Sequence, residues 1–167
     1  AMALAQVTGV SADEIRTAML SFGGVDRRFD FHVRRDDMAY ISDYAHHPEE
    51  IRQSILSIKQ LYEGRRIRAI FQPHLYTRTR DFYKDFADAL SLLDDVVICD
   101  IYPAREEPIP GVTSQLIYDN LRPGIQKQMC SKEDILKHVN RDEFDVLVTL
   151  GAGDIENFAH DITNLLS

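Results

Sequence analysis

The chain has 167 residues, of which 44% are hydrophobic and 28% are charged, a composition typical of one folded domain with an apolar core. Asp and Glu outnumber Lys and Arg by 27 to 19, and the resulting formal net charge of -8 argues against general binding to nucleic acid. No apolar stretch approaches the roughly 20 residues that a membrane-spanning helix needs, and no signal peptide is visible, so we expect a cytoplasmic protein with no membrane partner.

The two cysteines are far apart in the sequence. Cys99 ends an apolar run and is interpreted as a buried reduced thiol. Neither Cys99 nor Cys130 has the spacing of a zinc site or of a disulfide framework.

Helix signals dominate the first 22 residues. Residues 1–7 resemble the end of a helix, and Ser11 with Glu14 forms a capping box, in which each side chain binds the backbone N–H of the other residue. The box predicts a helix that reaches about Phe22, where a glycine pair ends it.

A β-hairpin is predicted next. Phe29–Val33 and Ala39–Ser42 are rich in aromatic and β-branched residues, which is typical of strands. The charged residues 34–37 between them are typical of a turn, so the two strands are expected to pair antiparallel.

Strands and helices then alternate along the chain. Apolar strands are predicted at residues 67–72, 96–100 and 146–150, and helices at 48–64, 82–93, 114–121, after Ser131 and at 155–166. Apolar strands that are each followed by a helix indicate an α/β fold, here a Rossmann-like, mostly parallel sheet with helices on both faces and the hairpin near the N-terminus. Ligands of such sheets bind outside the carboxyl ends of the strands, so the site is expected in the segments that follow them.

Residues 43–49 (DYAHHPE) bring a carboxylate, a phenol and two imidazoles to the start of a helix. An ionised Asp43 can accept hydrogen bonds from both hydroxyls of a ribose, and imidazoles can bind an anion or transfer a proton near neutral pH. Alternatively, Asp43 or His47 caps the helix and the other groups are solvated. A metal site is not expected, because adjacent histidines generally point apart and no third ligand follows at a familiar spacing.

Residues 71–80 (FQPHLYTRTR) lead from a buried strand through a polar loop into a helix. Arginine grips a carboxylate or phosphate through two parallel charge-assisted bonds, and the helix N-terminus adds backbone donors. The alternative is a surface loop with solvated arginines. The position at the expected functional edge favours anion binding by this segment.

Three further segments carry weaker signals. In residues 23–29 (GGVDRRF), a phosphate-facing arginine and a structural salt bridge fit the spacing equally well. Residues 150–155 (LGAGDI) lack the third glycine of a dinucleotide fingerprint, and close packing of strand against helix is the alternative to a ligand role. In residues 102–111 (YPAREEPIPG), three prolines stiffen a loop whose Glu106 and Glu107 are either solvated or paired with arginines.

No Gly-Lys pair occurs in the chain, so it contains no P-loop. If the domain serves ATP chemistry, the main phosphate cradle must lie elsewhere.

Together these segments resemble the C-terminal domain of the Mur ligases, which build the peptide stem of peptidoglycan. Residues 43–48 (DYAHHP) resemble the family's Asp-Tyr-x-His-x-Pro signature, and residues 71–79 (FQPHLYTRT) are similar to the members that add L-alanine. Residues 102–111 and the turn at 151–154 match the same members, so the resemblance covers nearly the whole chain.

The resemblance implies a three-domain enzyme in which only the last domain is present here. Residues 1–22 are then the end of a preceding helical segment, and residues 23–167 are the domain that binds the amino acid and the ATP ribose. The P-loop and the Mg²⁺ ligands are expected in the missing central domain. In the implied reaction, ATP phosphorylates the lactyl carboxylate of UDP-N-acetylmuramate and the amine of L-alanine attacks the acyl phosphate. The fragment alone is expected to be inactive.

The resemblance also implies roles for individual residues. Asp43 is expected to hold the ATP ribose, and Arg28 is expected to approach the terminal phosphates and act in catalysis with His46. The incoming L-alanine is expected to be surrounded by four side chains, Tyr44, His46, His74 and Arg78. Leu75 stands where some members carry a second arginine, which leaves open whether Arg80 replaces that contact.

Other classes of protein also fit parts of this sequence. A related ligase that attaches recycled peptides to UDP-N-acetylmuramate shares the pattern at residues 43–48, although residues 71–79 argue against it. More distant alternatives are the C-terminal domain of a folylpolyglutamate synthase and a stand-alone nucleotide-binding or interaction domain.

Overall fold

The computed structural model describes residues 2–167 and forms these residues into one six-stranded sheet. The strands are β1 (Asp30–Arg34), β2 (Ala39–Asp43), β3 (Ile67–Phe71), β4 (Asp95–Cys99), β5 (Gln126–Cys130) and β6 (Val146–Leu150). Their order is β1-β2-β6-β3-β4-β5, with β1 antiparallel to β2 and all other neighbours parallel. The predicted mostly parallel α/β sheet with an N-terminal hairpin is confirmed.

The described residues also form six α-helices and two 3-10 helices. The α-helices are α1 (Met2–Val7), α2 (Ala12–Ser21), α3 (Pro48–Leu61), α4 (Tyr76–Leu90), α5 (Gln115–Asn120) and α6 (Ala159–Leu166), and the 3-10 helices are Lys132–His138 and Asp154–Phe158. The predicted capping box of α2 is present, since Glu14 N donates to Ser11 Oγ at 3.3 Å and Ser11 N donates to Glu14 Oε2 at 2.9 Å. The part of the first helix prediction that falls on Ala1 lies outside the described residues.

Helices cover both faces of the sheet, as predicted. The helices α3, α4 and α5 pack on one face, where Ile51, Ile55 and Ile58 of α3 are fully buried. Each of these side chains contributes about 1.5–3 kcal/mol through burial. The other face is covered by α6 and the two 3-10 helices, through residues such as Ile162 and Ile135.

Strand β5 was not predicted from the sequence. Among residues 2–167 it lies at the edge of the sheet with β4 as its one neighbour, and its exposed and partly buried residues alternate. Because one of its faces and one of its edges meet solvent, it is built from polar residues such as Gln126 and Gln128 and lacks an apolar run.

The prediction of one continuous helix over residues 155–166 is wrong in its first turn. Residues Asp154–Phe158 form a 3-10 helix, and the α-helix begins at Ala159. Ile155 N donates to Gln72 Oε1 at 3.0 Å, so a tertiary hydrogen bond holds the entry to this segment. The helix predicted after Ser131 is likewise a 3-10 helix.

A buried ion pair lies at the start of β3. The side chain of Arg68 is 3% exposed, and its Nε donates to Asp95 Oδ2 on the neighbouring strand β4 at 2.7 Å. Its Nη2 lies 2.6 Å from Glu143 Oε2, and its Nη1 donates to the carbonyl oxygen of His138 at 3.0 Å. The guanidinium therefore joins β3 and β4 to the segment before β6.

None of the helices in residues 2–167 combines the length and the apolar character that a membrane crossing requires.

Candidate functional site

The predicted site segments lie at one edge of the sheet. Residues 43–49 follow β2, residues 72–80 follow β3, residues 100–113 follow β4 and residues 151–154 follow β6. Because β2, β6, β3 and β4 are parallel neighbours, their carboxyl ends meet at the same edge. The four segments are therefore next to one another in space.

Aromatic rings from three of these segments form a continuous cluster. The rings of His46 and His74 have centroids 5.9 Å apart, and the ring of Tyr44 lies 5.1 Å from that of His46. On the other side, the ring of Tyr102 stacks on His74 at 5.6 Å with an interplanar angle of 25°. The structure thus brings together Tyr44, His46 and His74, which the sequence places up to 30 residues apart.

Arg78 extends this cluster by one turn of α4. Its Nη1 lies 3.4 Å from Nδ1 of His74, to which it can donate, and both side chains are partly buried. A partly buried guanidinium beside a pair of imidazoles is suited to a small carboxylate. All four residues that were predicted to surround an amino acid are therefore in the same place.

The backbone turn at Leu75 places His74 and Arg78. Leu75 has φ of 74° and ψ of 135° and directly precedes α4. Its N–H donates to the carbonyl oxygen of Tyr102 at 2.9 Å, and its own carbonyl oxygen accepts from Thr79 N at 3.1 Å. A positive φ at a leucine costs about 1–3 kcal/mol and is retained only where surrounding contacts enforce it.

The amino end of α4 is not available to a ligand in the way that was expected. The carboxylate of Glu106, from the loop after β4, accepts hydrogen bonds from the N–H of Thr77 at 3.0 Å and from its hydroxyl. These bonds hold the pKa of Glu106 below its usual range. The N–H of Thr77, a backbone donor that we expected to serve an anionic ligand, is therefore used by the chain itself, and the guanidinium of Arg78 remains beside His74.

Asp43 and Arg28 line a second, adjacent cleft. It has a volume of about 100 Å³ and is also lined by Tyr44, Ala45 and Glu50. One oxygen of Asp43 accepts a long hydrogen bond of 3.3 Å from Ala45 N. Arg28 is exposed, with its guanidinium carbon 5.9 Å from the centre of the Tyr44 ring. Asp43 and Arg28 thus lie beside Tyr44, which joins this cleft to the imidazole cluster.

The two arginines before β1 have different environments. Arg27 lies 4.8 Å from the centre of the Tyr44 ring, donates to the carbonyl oxygen of Gly153 at 3.4 Å and lies 3.6 Å from a carboxylate oxygen of Glu156. Arg28 is exposed at the edge of the cleft. Of the two interpretations that the sequence left open, the structural ion pair fits Arg27 and the ligand-facing role fits Arg28.

The glycine turn after β6 has a packing role. Gly151 has φ of 143°, and a Cβ atom there would lie 2.7 Å from the carbonyl oxygen of Gln72. The side chain of Gln72 donates to Asp154 at 2.8 Å, and Asp154 also accepts from Lys132 at 2.7 Å. The turn therefore has a packing role, as the alternative interpretation proposed, but it packs against the end of β3, whereas the sequence suggested close packing of strand against helix.

His47 is the N-cap residue of α3, as the alternative interpretation allowed, and Glu50 completes a capping box at this helix start. Glu50 accepts from the backbone N–H groups of His46 and His47 at 3.0 Å and 3.1 Å. Nδ1 of His46 lies 2.9 Å from the carbonyl oxygen of Tyr44, which fixes the orientation of the ring.

His74 provides a direct test of this geometry. Burial, the charge of Arg78 and the proximity of His46 all lower the pKa of His74, against a weaker opposite effect of Glu106. We expect NMR titration of the purified chain to give His74 a pKa below its ordinary value of about 6.5. Arg78→Ala removes a nearby positive charge and should raise that pKa.

Arg122→Ala is the matched control for the titration, because Arg122 pairs with Asp88 away from the cluster. The pKa of His74 should not change in this variant. An unshifted His74, or one that responds equally to both substitutions, would contradict the placement of Arg78.

Two larger clefts lie at the opposite edge of the sheet. They have volumes of about 330 and 470 Å³ and share Tyr62, Glu63 and Arg65 among their lining residues. Their size would favour them as ligand sites. However, Arg65 binds the carbonyl oxygen of Asp36 and Arg66 pairs with Asp145, so these arginines already have partners within the protein. The carboxyl edge carries the paired imidazoles of His46 and His74, and we place the candidate site there. Within residues 2–167, no group of three or more His, Cys, Asp or Glu side chains could hold a metal ion.

Sequence reasoning missed two residues of the site. Tyr102 was assigned no role, and Glu106 was left either solvated or paired with an arginine, whereas it binds Thr77. The parallel bridge between His74 and Tyr102, which aligns the two loops, gives no signal in the sequence of either loop.

Comparison with known proteins assigns the chain to a family. The family described as "Mur ligase, glutamate ligase domain" matches residues 27–153, and the chain belongs to this family. The UDP-N-acetylmuramate–L-alanine ligase of Phocaeicola vulgatus is 63% identical over all 167 residues, and that of Flavobacterium johnsoniae is 42% identical over 167 residues. These alignments cover 36% and 37% of the two relatives, so the chain spans about a third of their length.

Solved structures give the same result. A UDP-N-acetylmuramate–alanine ligase from Thermotoga maritima superimposes with a TM-score of 0.78 at 29% identity, over 98% of this chain and 35% of that one. A murein peptide ligase from Psychrobacter arcticus has a TM-score of 0.68 at 24% identity, covering 98% of this chain and 35% of the other, a similarity that concerns the fold alone.

Proposed function

We propose that this chain is the amino-acid- and ribose-binding domain of an ATP-dependent ligase that joins L-alanine to UDP-N-acetylmuramate. The observation that carries the proposal is the convergence of His46, His74 and Arg78 beside the cleft of Asp43 and Arg28. The names and identities of the relatives support the choice of reaction.

The cluster around Arg78 has the chemistry that an amino acid requires. Arg78 grips the carboxylate of L-alanine, and the rings of Tyr44 and His46 lie in the same aromatic cluster. The amine must lose a proton before it can attack an activated carboxyl group. The lowered pKa of His74 favours its neutral form, which can accept that proton, while the clamped carboxylate aims the amine.

The second cleft fits part of a nucleotide. The carboxylate of Asp43 accepts one long hydrogen bond, from Ala45 N, and so retains lone pairs that can accept from the two hydroxyls of a ribose. Arg28 is exposed and can reach a phosphate, which in this reaction leaves ATP to activate the lactyl carboxylate. A volume of about 100 Å³ is small for a whole nucleotide, so the remaining walls, and the ligands of Mg²⁺, belong to another part of a longer protein.

The helices α1 and α2 support this division of the protein. Neither helix has a buried residue, and Leu4, Val7 and Leu20 are 69%, 84% and 85% exposed. An apolar surface of this kind is typical of an interface. We assign residues 1–22 to the end of a preceding helical segment, which packs against the part of the relatives that this chain does not span.

The test is ATP-dependent phosphate release by the full-length ligase that contains this sequence, compared with the 167-residue chain alone. We expect turnover with L-alanine, weaker turnover with glycine and L-serine, little with a tripeptide acceptor, and none from the chain alone. Preference for the tripeptide would indicate the peptide-recycling ligase instead. Robust turnover by the isolated chain would refute the proposed division into domains.

A further inference from the structure

A pair of thiols lies just below the candidate site. Cys99 ends β4 and Cys130 ends β5, and the two residues are register partners on these parallel strands. Their sulfur atoms are 3.5 Å apart and both residues are free thiols. The sequence interpretation found a buried reduced thiol at Cys99 but could not pair it, because β5 was not predicted.

We propose that Cys99 and Cys130 form a site of reversible oxidation, at which a hydroperoxide converts the two thiols to an intramolecular disulfide. Neighbouring strands lie about 4.8 Å apart, which is inside the range of roughly 4.4–6.8 Å that Cα atoms of a disulfide occupy. The sulfur atoms must approach from 3.5 Å to about 2.05 Å, a movement that side-chain rotation and a small shift of one strand can supply.

The two thiols differ in exposure, and this difference indicates which of them is oxidised first. Cys99 is fully buried, whereas Cys130 retains 8% of its exposure on the edge strand. The contact with Cys99 lowers the pKa of Cys130, while the same contact and burial raise the pKa of Cys99. Because Cys130 is the more exposed of the two and lies on the edge strand, it is the thiol that meets the oxidant, and Cys99 is the thiol that resolves the product.

The reaction balances with the peroxide as the oxidant. The sulfur of Cys130 attacks one peroxide oxygen, the O–O bond breaks, and a sulfenic acid and hydroxide form. The sulfur of Cys99 then displaces the hydroxyl group from the sulfur of Cys130, and its proton leaves with that group as water. Overall, two thiols lose two electrons and two protons, and one hydrogen peroxide becomes two waters.

Formation of this disulfide would change the environment of His74 in the candidate site. The carbonyl oxygen of Cys99 accepts a hydrogen bond from Ser114 Oγ at 2.6 Å, which fixes the start of the loop after β4. Three residues further on, Tyr102 stacks on His74 and accepts from Leu75. Because the disulfide draws the ends of β4 and β5 together, we expect the NMR resonances of His74 to shift on oxidation.

The experiment treats the folded 167-residue chain with hydrogen peroxide and follows its intact mass. We expect a loss of about 2 Da, the disappearance of both free thiols at a rate independent of protein concentration, a single cross-linked peptide after digestion, and reversal by dithiothreitol. Cys130→Ser should abolish the cross-link, and Cys99→Ala should leave a sulfenic acid at Cys130. If serine at position 130 disturbs folding, the Cys99→Ala variant still tests whether Cys130 is oxidised.

Two results would overturn the proposal. One is a chain that keeps both thiols under peroxide while Cys130 of the Cys99→Ala variant also stays unmodified. The other is oxidation of Cys130 to sulfinic acid, or to a concentration-dependent dimer, without the internal bond. Neither result depends on ligase activity, so the proposed function is tested separately.

Discussion

Replacing Arg68 with methionine is expected to lower the free energy of unfolding of the chain by about 3–5 kcal/mol. Methionine fills a similar volume but leaves Asp95, whose side chain is 12% exposed, without its partner. One oxygen of that carboxylate already lacks a hydrogen-bond partner within the described residues, so nothing nearby can take over. Urea denaturation followed by circular dichroism measures the change.

Two control variants separate the buried charge from a general loss of packing. Arg66→Met removes an exposed arginine from the same strand region, where its 3.0 Å pair with Asp145 lies at the surface, and should cost far less. Arg68→Met combined with Asp95→Leu leaves no buried carboxylate and should recover much of the stability. If the single Arg68 variant is as stable as the Arg66 variant, the pair contributes little and our interpretation is wrong.

The helices and strands that could be predicted are those whose buried residues form a clear pattern in the sequence. Helix α3 shows its buried face directly in Ile51, Ile55 and Ile58, and β6 is a run of five buried residues bounded by a glycine turn. Edge strand β5 has no such run, because solvent reaches one of its faces and its outer edge. Its absence from the prediction also hid the pairing of Cys99 with Cys130, which depends on strand register.

For the candidate site, too, the sequence could predict only part of the arrangement. His46, His74 and Arg78 follow predicted strands, so the rule that parallel strands end at a common edge brought them together correctly. The partner of Thr77 could not be found in this way. Glu106 reaches it from a loop 29 residues further along the chain, and loop conformation depends on contacts that have no periodic pattern. The sequence therefore indicated which loops form the site better than which side chains in those loops bind one another.

In the full-length ligase, Arg78→Ala is expected to raise the KM for L-alanine about 10- to 150-fold and to leave the KM for ATP nearly unchanged. The range corresponds to about 1.5–3 kcal/mol for one charge-assisted hydrogen bond to a carboxylate. The effect should be large because Leu75 contributes no charge to the grip and Arg80 is bound to Asp81 at 2.7 Å. Steady-state kinetics with each substrate varied in turn measures both constants.

The comparison with other variants decides whether Arg78 grips the substrate or only shapes the loop. Arg78→Lys keeps the charge but loses the planar fork and should recover part of the affinity for L-alanine. Arg122→Ala, at a surface pair with Asp88, should match the wild-type enzyme in both constants. If Arg78→Ala raised the KM for ATP as much as that for L-alanine, the residue would be supporting the fold of both clefts. An unchanged KM for L-alanine would remove Arg78 from the amino-acid site.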